Sequence, residues 1–125
     1  MELQELARIL DLRQLTPSSE SYGDEGVYGI DTADITRGYA SDLLSDVLAN
    51  APAGGVLVTL QVHLNVIAVA SHAGLRAVIF SSGRIPDDEV VEKAAEEGLA
   101  LFVSSADTFD IVGRLHELGL RGSTE

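Results

Sequence analysis

The chain reads as a single layered α/β domain with a mainly parallel sheet flanked by helices. From Ile35 onward, short apolar runs of strand length alternate with segments of helical period. Glycines and prolines punctuate the boundaries between them, as expected where the chain must reverse. The 125 residues are 46% hydrophobic, enough for one real core with little room for a second.

Leu3, Leu6, Ala7 and Leu10 recur at i, i+3, i+4 and i+7 and predict a short N-terminal helix ending near Leu12, stable only when docked. From Thr16 to Gly29 the composition turns to Ser, Gly, Asp and Glu around Pro17 and Gly23 to Gly26, the signature of a flexible connector. The expected organisation is an N-terminal helix and connector over 1–29 and an α/β domain over 30–121. Ile35 to Ala40 is a weak strand. Leu43, Leu44, Val47, Leu48 and Ala51 mark an amphipathic helix closed by Pro52 and Gly54-Gly55. Val56 to Leu60, rich in β-branched residues, is a strong strand.

Asn65 to Ala73 follows as a nearly all-apolar helix that stops at Gly74. The unbroken hydrophobicity of Ala77 to Phe80 predicts a central strand covered on both faces. Pro86 opens the next helix, Asp87, Asp88 and Glu89 suit the positive end of its dipole, and Gly98 closes it. Its buried stripe is Val90, Val91, Ala94 and Ala95. Leu99 to Val103 is the last strand, Asp107 an N-cap, and Phe109, Val112, Leu115 and Leu118 the core face of a final helix ended by Gly119.

Composition narrows the function. Twenty acids against eight bases give a net charge of −12, which repels nucleic acid and anionic membranes. The charge is even: residues 1–62 hold 10 acids and 3 bases, and residues 63–125 hold 10 and 5, so neither half is an acidic tail. No cysteine is present, which removes disulfides, thiolate nucleophiles and cysteine-bound zinc or iron–sulfur centres. The first residues carry no signal-like basic and apolar regions, and the longest apolar run, Val66 to Ala70, is far too short to cross a bilayer. A cytoplasmic protein is expected.

Ligands of open α/β sheets bind beyond the carboxyl ends of the strands, which directs attention to four polar loops. They carry Ser41 and Asp42; Gln61, His63 and Asn65; Ser82, Gly83 and Arg84; and Asp107 and Thr108. Ser82 and Gly83 ahead of a helix can offer N–H groups to an anion beside Arg84, or form an ordinary strand-to-helix turn, the commoner outcome. His63 has no metal-ligand spacing to His72 or His116, and a local cap is favoured over a ligand or a catalyst. Asp42 and Asp46, four apart, read either as a carboxylate pair or, more often, as charge at a helix N-terminus. Phosphate-loop, dinucleotide and nucleophile-elbow motifs are absent, and no cofactor or metal is implied.

The run Tyr39-Ala40-Ser41-Asp42-Leu43-Leu44-Ser45-Asp46-Val47-Leu48, then Val58 to Ala70 with its H-x-N-V-x-A-V-A segment, resembles the stand-alone proteins of the DRTGG domain family. The likeness continues through Ala77 to Gly83, Pro86-Asp87 and Asp107 to Phe109, covering most of residues 30–118. It implies a domain similar to the N-terminal domain of HPr kinase/phosphorylase. Related domains lie between CBS domains of some inorganic pyrophosphatases and beside phosphate acetyltransferases, as non-catalytic regulatory and subunit-contact modules. Free-standing bacterial members near hydrogenase-related genes imply a redox protein partner. The chain departs from the name-giving motif, with His63-Leu64-Asn65 in place of Asp-Arg-Thr and Ser82-Gly83-Arg84 in place of Thr-Gly-Gly.

The expectation is a homodimeric regulatory module that binds a small anionic ligand such as a nucleotide at the strand-end loops. The all-apolar Val66 to Ala70 helix supports association, because its outer side needs cover from another element or another subunit. Two alternatives stand beside it. One is a small phosphoryl- or acyl-transfer enzyme using His63 with Asp42 or Ser82, and the other is a purely structural interaction module.

Overall fold

Three apolar runs make the middle of the sheet because every residue in them can be buried. Val56–Thr59 (β3), Ala77–Phe80 (β4) and Ala100–Val103 (β5) are buried throughout, the pattern of parallel strands covered on both faces. Gly38–Ala40 (β2) joins β3 at one side, and Arg13–Gln14 (β1) joins β5 at the other, giving the order β1-β5-β4-β3-β2. All neighbours are parallel except β1, which is antiparallel to β5. The computed structural model describes residues 1–17 and 34–123, so most of the expected 16–29 connector lies outside the described residues.

The connections β2→β3→β4→β5 all step the same way across the sheet, and right-handed crossovers then place their helices on one face. These are Leu44–Asn50 (α2), Asn65–His72 (α3) and Asp88–Glu96 (α4). Their Val47, Val66, Ile67, Ala70, Val90 and Ala94 form one core with Leu57, Val78, Phe80, Leu101 and Val103. The alternate strand residues Val56, Val58, Ala77, Ile79, Ala100 and Phe102 point the other way. Leu3–Ile9 (α1) and Thr108–Glu117 (α5) cover that second face with Leu3, Leu6, Leu10, Ile111 and Leu115. No helix among the described residues is long and apolar enough to cross a membrane.

Several expectations are corrected by the packing. The weak strand over Ile35 to Ala40 shrinks to Gly38–Ala40, though Ile35 is buried. Near the β2–β3 junction a Cβ on Gly55 would stand 2.9 Å from the Arg37 carbonyl, which accepts the Val56 N–H. Helix α2 begins at Leu44, and Leu43 and Leu48 are exposed while Val47 is buried. In α4, Val90 and Ala94 are buried but Val91 and Ala95 only partly so.

The final helix is the largest correction. Phe109 is 85% exposed and Val112 38%, while Ile111 is buried at 1%. The helix carries two apolar stripes, and at 3.6 residues per turn Phe109 lies about 160° around the axis from Ile111. The stripe of Ile111, Leu115 and Leu118 meets the sheet, so Phe109 must face outward. Helix α3 is likewise not bare: it lies between α2 and α4 of the same chain, which supply the cover its apolar sides require.

Two substitutions on α5 separate these stripes. Ile111→Ala should lower unfolding free energy by about 2–5 kcal/mol, whereas Phe109→Ala should stay within about 0.5 kcal/mol of the parent. Urea denaturation of both variants measures the contrast; equal losses would mean the helix is seated on the wrong face.

Candidate functional site

Parallel register brings the carboxyl ends of β2 to β5 into one row. Ala40 lies beside Val58, Thr59 beside Phe80, and Phe80 beside Val103. The four loops that follow therefore line a single edge, and hydrogen bonds knit them to one another. Asp42 Oδ1 accepts from the Thr59 hydroxyl at 2.9 Å and from the Leu60 N–H at 2.7 Å. Gln61 Nε2 donates back to the Asp42 carbonyl at 3.3 Å. Ser41 Oγ accepts the Leu43 N–H at 3.2 Å and turns the chain into α2.

His63 behaves as a local cap. Its Nδ1 accepts the Asn65 N–H at 3.0 Å, which leaves Nε2 as the protonated nitrogen of the neutral ring and aims it away from that turn. No hydrogen bond joins His63 to Asp42 or Ser82 among the described residues, so the nucleophile–base contact of the enzyme alternative is not made. Asp42 and Asp46 do not share a helix face, and the favoured reading of charge at a helix N-terminus holds for Asp46 alone, in the first turn of α2. Asp42 precedes α2 and reaches toward β3, whereas Asp46 lies on the helix and accepts from Tyr39 and Asn50.

The loop after β4 takes its shape from two left-handed residues, Ser82 at φ 58° and Gly83 at φ 69°. Its N–H groups turn inward: Ser82 donates to Ala106 O at 2.8 Å, Gly83 to Ser104 O at 2.7 Å, and Arg84 to Ser81 O at 3.2 Å. The backbone N–H groups of the alternative anion cradle are thus engaged in joining this loop to the next, as in the favoured reading of an ordinary turn. The buried Ser81 hydroxyl and that of Thr108 share a 2.7 Å hydrogen bond, and Asp107 caps α5 through the Asp110 N–H at 2.9 Å. What remains outward at this edge is a set of exposed side chains, Gln61, His63, Asn65, Ser82 and Arg84.

A second feature has no signal in the sequence. A cavity of about 400 Å³ lies against β2 and α5, with Ala40, Val58, Val112, Leu115 and Leu120 on its walls and Asn50 and His116 at its margins. These residues come from five separate stretches of chain, so no local motif marks them. Beside it, Tyr39 donates its hydroxyl to Asp46 Oδ1 at 2.8 Å and Asn50 Nδ2 donates to the same oxygen at 2.8 Å. Asn50, then Tyr39 and Ser41, hold the Asp46 carboxyl below its ordinary pKa. The bond to Asp46, followed by burial and the neighbouring charge, raises that of Tyr39.

No family profile matches the chain, and no curated protein matches it. Three chains of known structure do. The likeness is one of fold, which is DRTGG-like. One of them is the crystal structure of the CBS and DRTGG domains of the regulatory region of Clostridium perfringens pyrophosphatase, complexed with the activator diadenosine tetraphosphate. The TM-score is 0.70 at 11% identity over 91% of this chain, which spans 45% of that one.

Asp42 and His63 both close loops, but Asp42 does so with a charged acceptor at a buried hydroxyl. Asp42→Ala should cost about 1–3 kcal/mol and His63→Ala about 1 kcal/mol or less; the reverse order in urea melts would contradict these roles. The Asp46 network has a defined sign in pH. Because the folded pKa is depressed, its contribution to stability is present above the unfolded carboxyl's pKa and is lost as pH falls through the folded one. A carbon-13 carboxyl titration should show Tyr39→Phe raising the Asp46 midpoint, and an unchanged midpoint would exclude the hydroxyl as a cause.

Proposed function

We propose that this chain is a non-catalytic regulatory module that senses a small anionic ligand, with nucleotides as the leading class, and signals its bound state to a partner protein. The observation that carries this reading is the fold. A structural neighbour belongs to an enzyme's regulatory region and is complexed with a nucleotide activator.

The ligand meets the strand-end loops of Ser41, Asp42, Gln61, His63, Asn65, Ser82, Gly83, Arg84, Asp107 and Thr108. Within that set the division of labour follows the hydrogen bonds. Asp42, Asp107 and Thr108 hold the loops, and with the Ser82 and Gly83 N–H groups engaged, recognition falls to side chains. Arg84 supplies the positive charge, and Gln61, His63, Asn65 and Ser82 supply donors. The module works as a homodimer. Exposed Leu43 just before α2 and Leu48 on it, with Phe109 on α5, are the surfaces that favour a second copy. The partner class implied by the family resemblance is a redox or hydrogenase-related protein.

A thermal-shift series with ATP, ADP, AMP, diadenosine tetraphosphate and inorganic phosphate tests the reading. A ligand at 100 times its Kd adds about 2.7 kcal/mol to the folded state, and Arg84→Ala or His63→Ala should weaken it at least about tenfold. Silence across the series, together with a monomer in sedimentation at micromolar concentration, overturns the proposal.

A further inference from the structure

Strand β2 is an edge strand whose outer side is only partly paired. The bonds Val56 N–H to Arg37 O and Ser41 N–H to Val58 O show that odd-numbered residues of β2 face β3. Even-numbered ones therefore face outward. The chain after α5 takes the first of these outward groups. Arg121 donates to Thr36 O and accepts from the Gly38 N–H, at 3.1 and 2.9 Å. Beyond that point the Gly38 carbonyl, the Ala40 N–H and the Ala40 carbonyl have no partner among the described residues.

Gly38 and Ala40 both line the 400 Å³ cavity, which is bounded from the α5 side by Val112, Leu115 and Leu120 and from the α2 side by Asn50. A cavity lined both by α5 and by α2, which sit on opposite faces of the sheet, has to pass the outer side of β2. Its volume lies in the range of small-molecule sites. A further strand does not fit well here, since the Arg121 segment pairs parallel to β2 and carries Gly122 and Ser123 into the cavity lining, which leaves the acceptor–donor–acceptor triplet of Gly38 O, Ala40 N–H and Ala40 O. An anion is also poorly served. The Arg121 guanidinium is directed at the His116 and Leu120 carbonyls, and the protein carries a charge of −12.

We propose that this cavity is a second binding site, for a neutral planar heterocycle that presents a hydrogen-bond donor beside an acceptor, as an adenine base does on its pairing edge. The Gly38 carbonyl takes the exocyclic amine proton, the Ala40 N–H meets the adjacent ring nitrogen, and the apolar walls take the faces of the ring. A 2-amino group would complete the triplet at the Ala40 carbonyl. Uracil, which presents acceptor, donor and acceptor, opposes the edge at every position. The site is independent of the carboxyl-edge loops proposed above and stands or falls without them.

Amide NMR of the full chain tests the assignment, with adenine and 2,6-diaminopurine as probes and N6,N6-dimethyladenine and uracil as controls. Adenine should shift the Ala40 amide and the Val112 and Leu115 signals saturably, and 2,6-diaminopurine should bind at least as tightly. The two controls should bind at least about tenfold more weakly, the effect of losing a hydrogen bond or leaving a buried group unpaired. Val112→Trp, which fills the cavity from a partly exposed helix position, should abolish the shifts while the β3 to β5 amides stay in place. Equal binding of the controls overturns the proposal. So does an Ala40 shift that follows protein dilution instead of probe, which would place a second copy on the edge. A response to bases confined to the Arg84 and His63 loops overturns it too, while leaving the carboxyl-edge reading intact.

Discussion

A mainly parallel sheet has to be covered on both faces, and the handedness of its crossovers decides which segments do the covering. Here every crossover steps the same way from β2 to β5, so α2, α3 and α4 all fall on one side. The opposite face is left to the two helices outside the crossover run. Leu3, Leu6 and Leu10 of the N-terminal segment and Ile111 and Leu115 of α5 are consequently core residues and not accessories. Two helices on one face against three on the other also give a physical origin for the cavity. Helix α5 runs over β3 and β2 but stops short of filling the space at the β2 edge.

The carboxyl edge shows the same economy in polar groups. Serines and threonines that follow buried strands would leave hydroxyls and loop N–H groups unsatisfied, and the loops answer by bonding to each other. Thr59 and Asp42 join β3 to the loop after β2, while Ser81, Thr108 and the Ser82 and Gly83 N–H groups join the loop after β4 to α5 and its approach. The edge is therefore braced from β2 to α5, with its exposed side chains mounted on a rigid row. Groups already joined to one another in this way have little freedom left to lose in any further contact.

How legible this was in the sequence varied with the range of the interaction. Glycine stops and the unbroken apolar runs place β3, β4, β5 and the helices between them, because propensity, punctuation and burial agree there. The fold class and the His63 and Asp107 caps are of the same local kind. Strand β1 was not readable: two residues with no pattern become a strand because β5 offers them an edge. The outward turn of Phe109 was also hidden, since periodicity alone cannot choose between two apolar stripes on one helix.

The sequence by itself determined the period of each long element, the turns that separate them, the acidic surface and the set of polar residues that end up at strand ends. Those properties are local, written in neighbouring residues and their backbone preferences. Tertiary structure alone decided which helix stripe is buried, which loop N–H groups are already engaged, and that Val58, Val112, Leu115 and Leu120 share a cavity beside the outer edge of β2. These depend on groups far apart in the chain competing for the same surface and the same hydrogen bonds, and that competition is settled only when the sheet assembles.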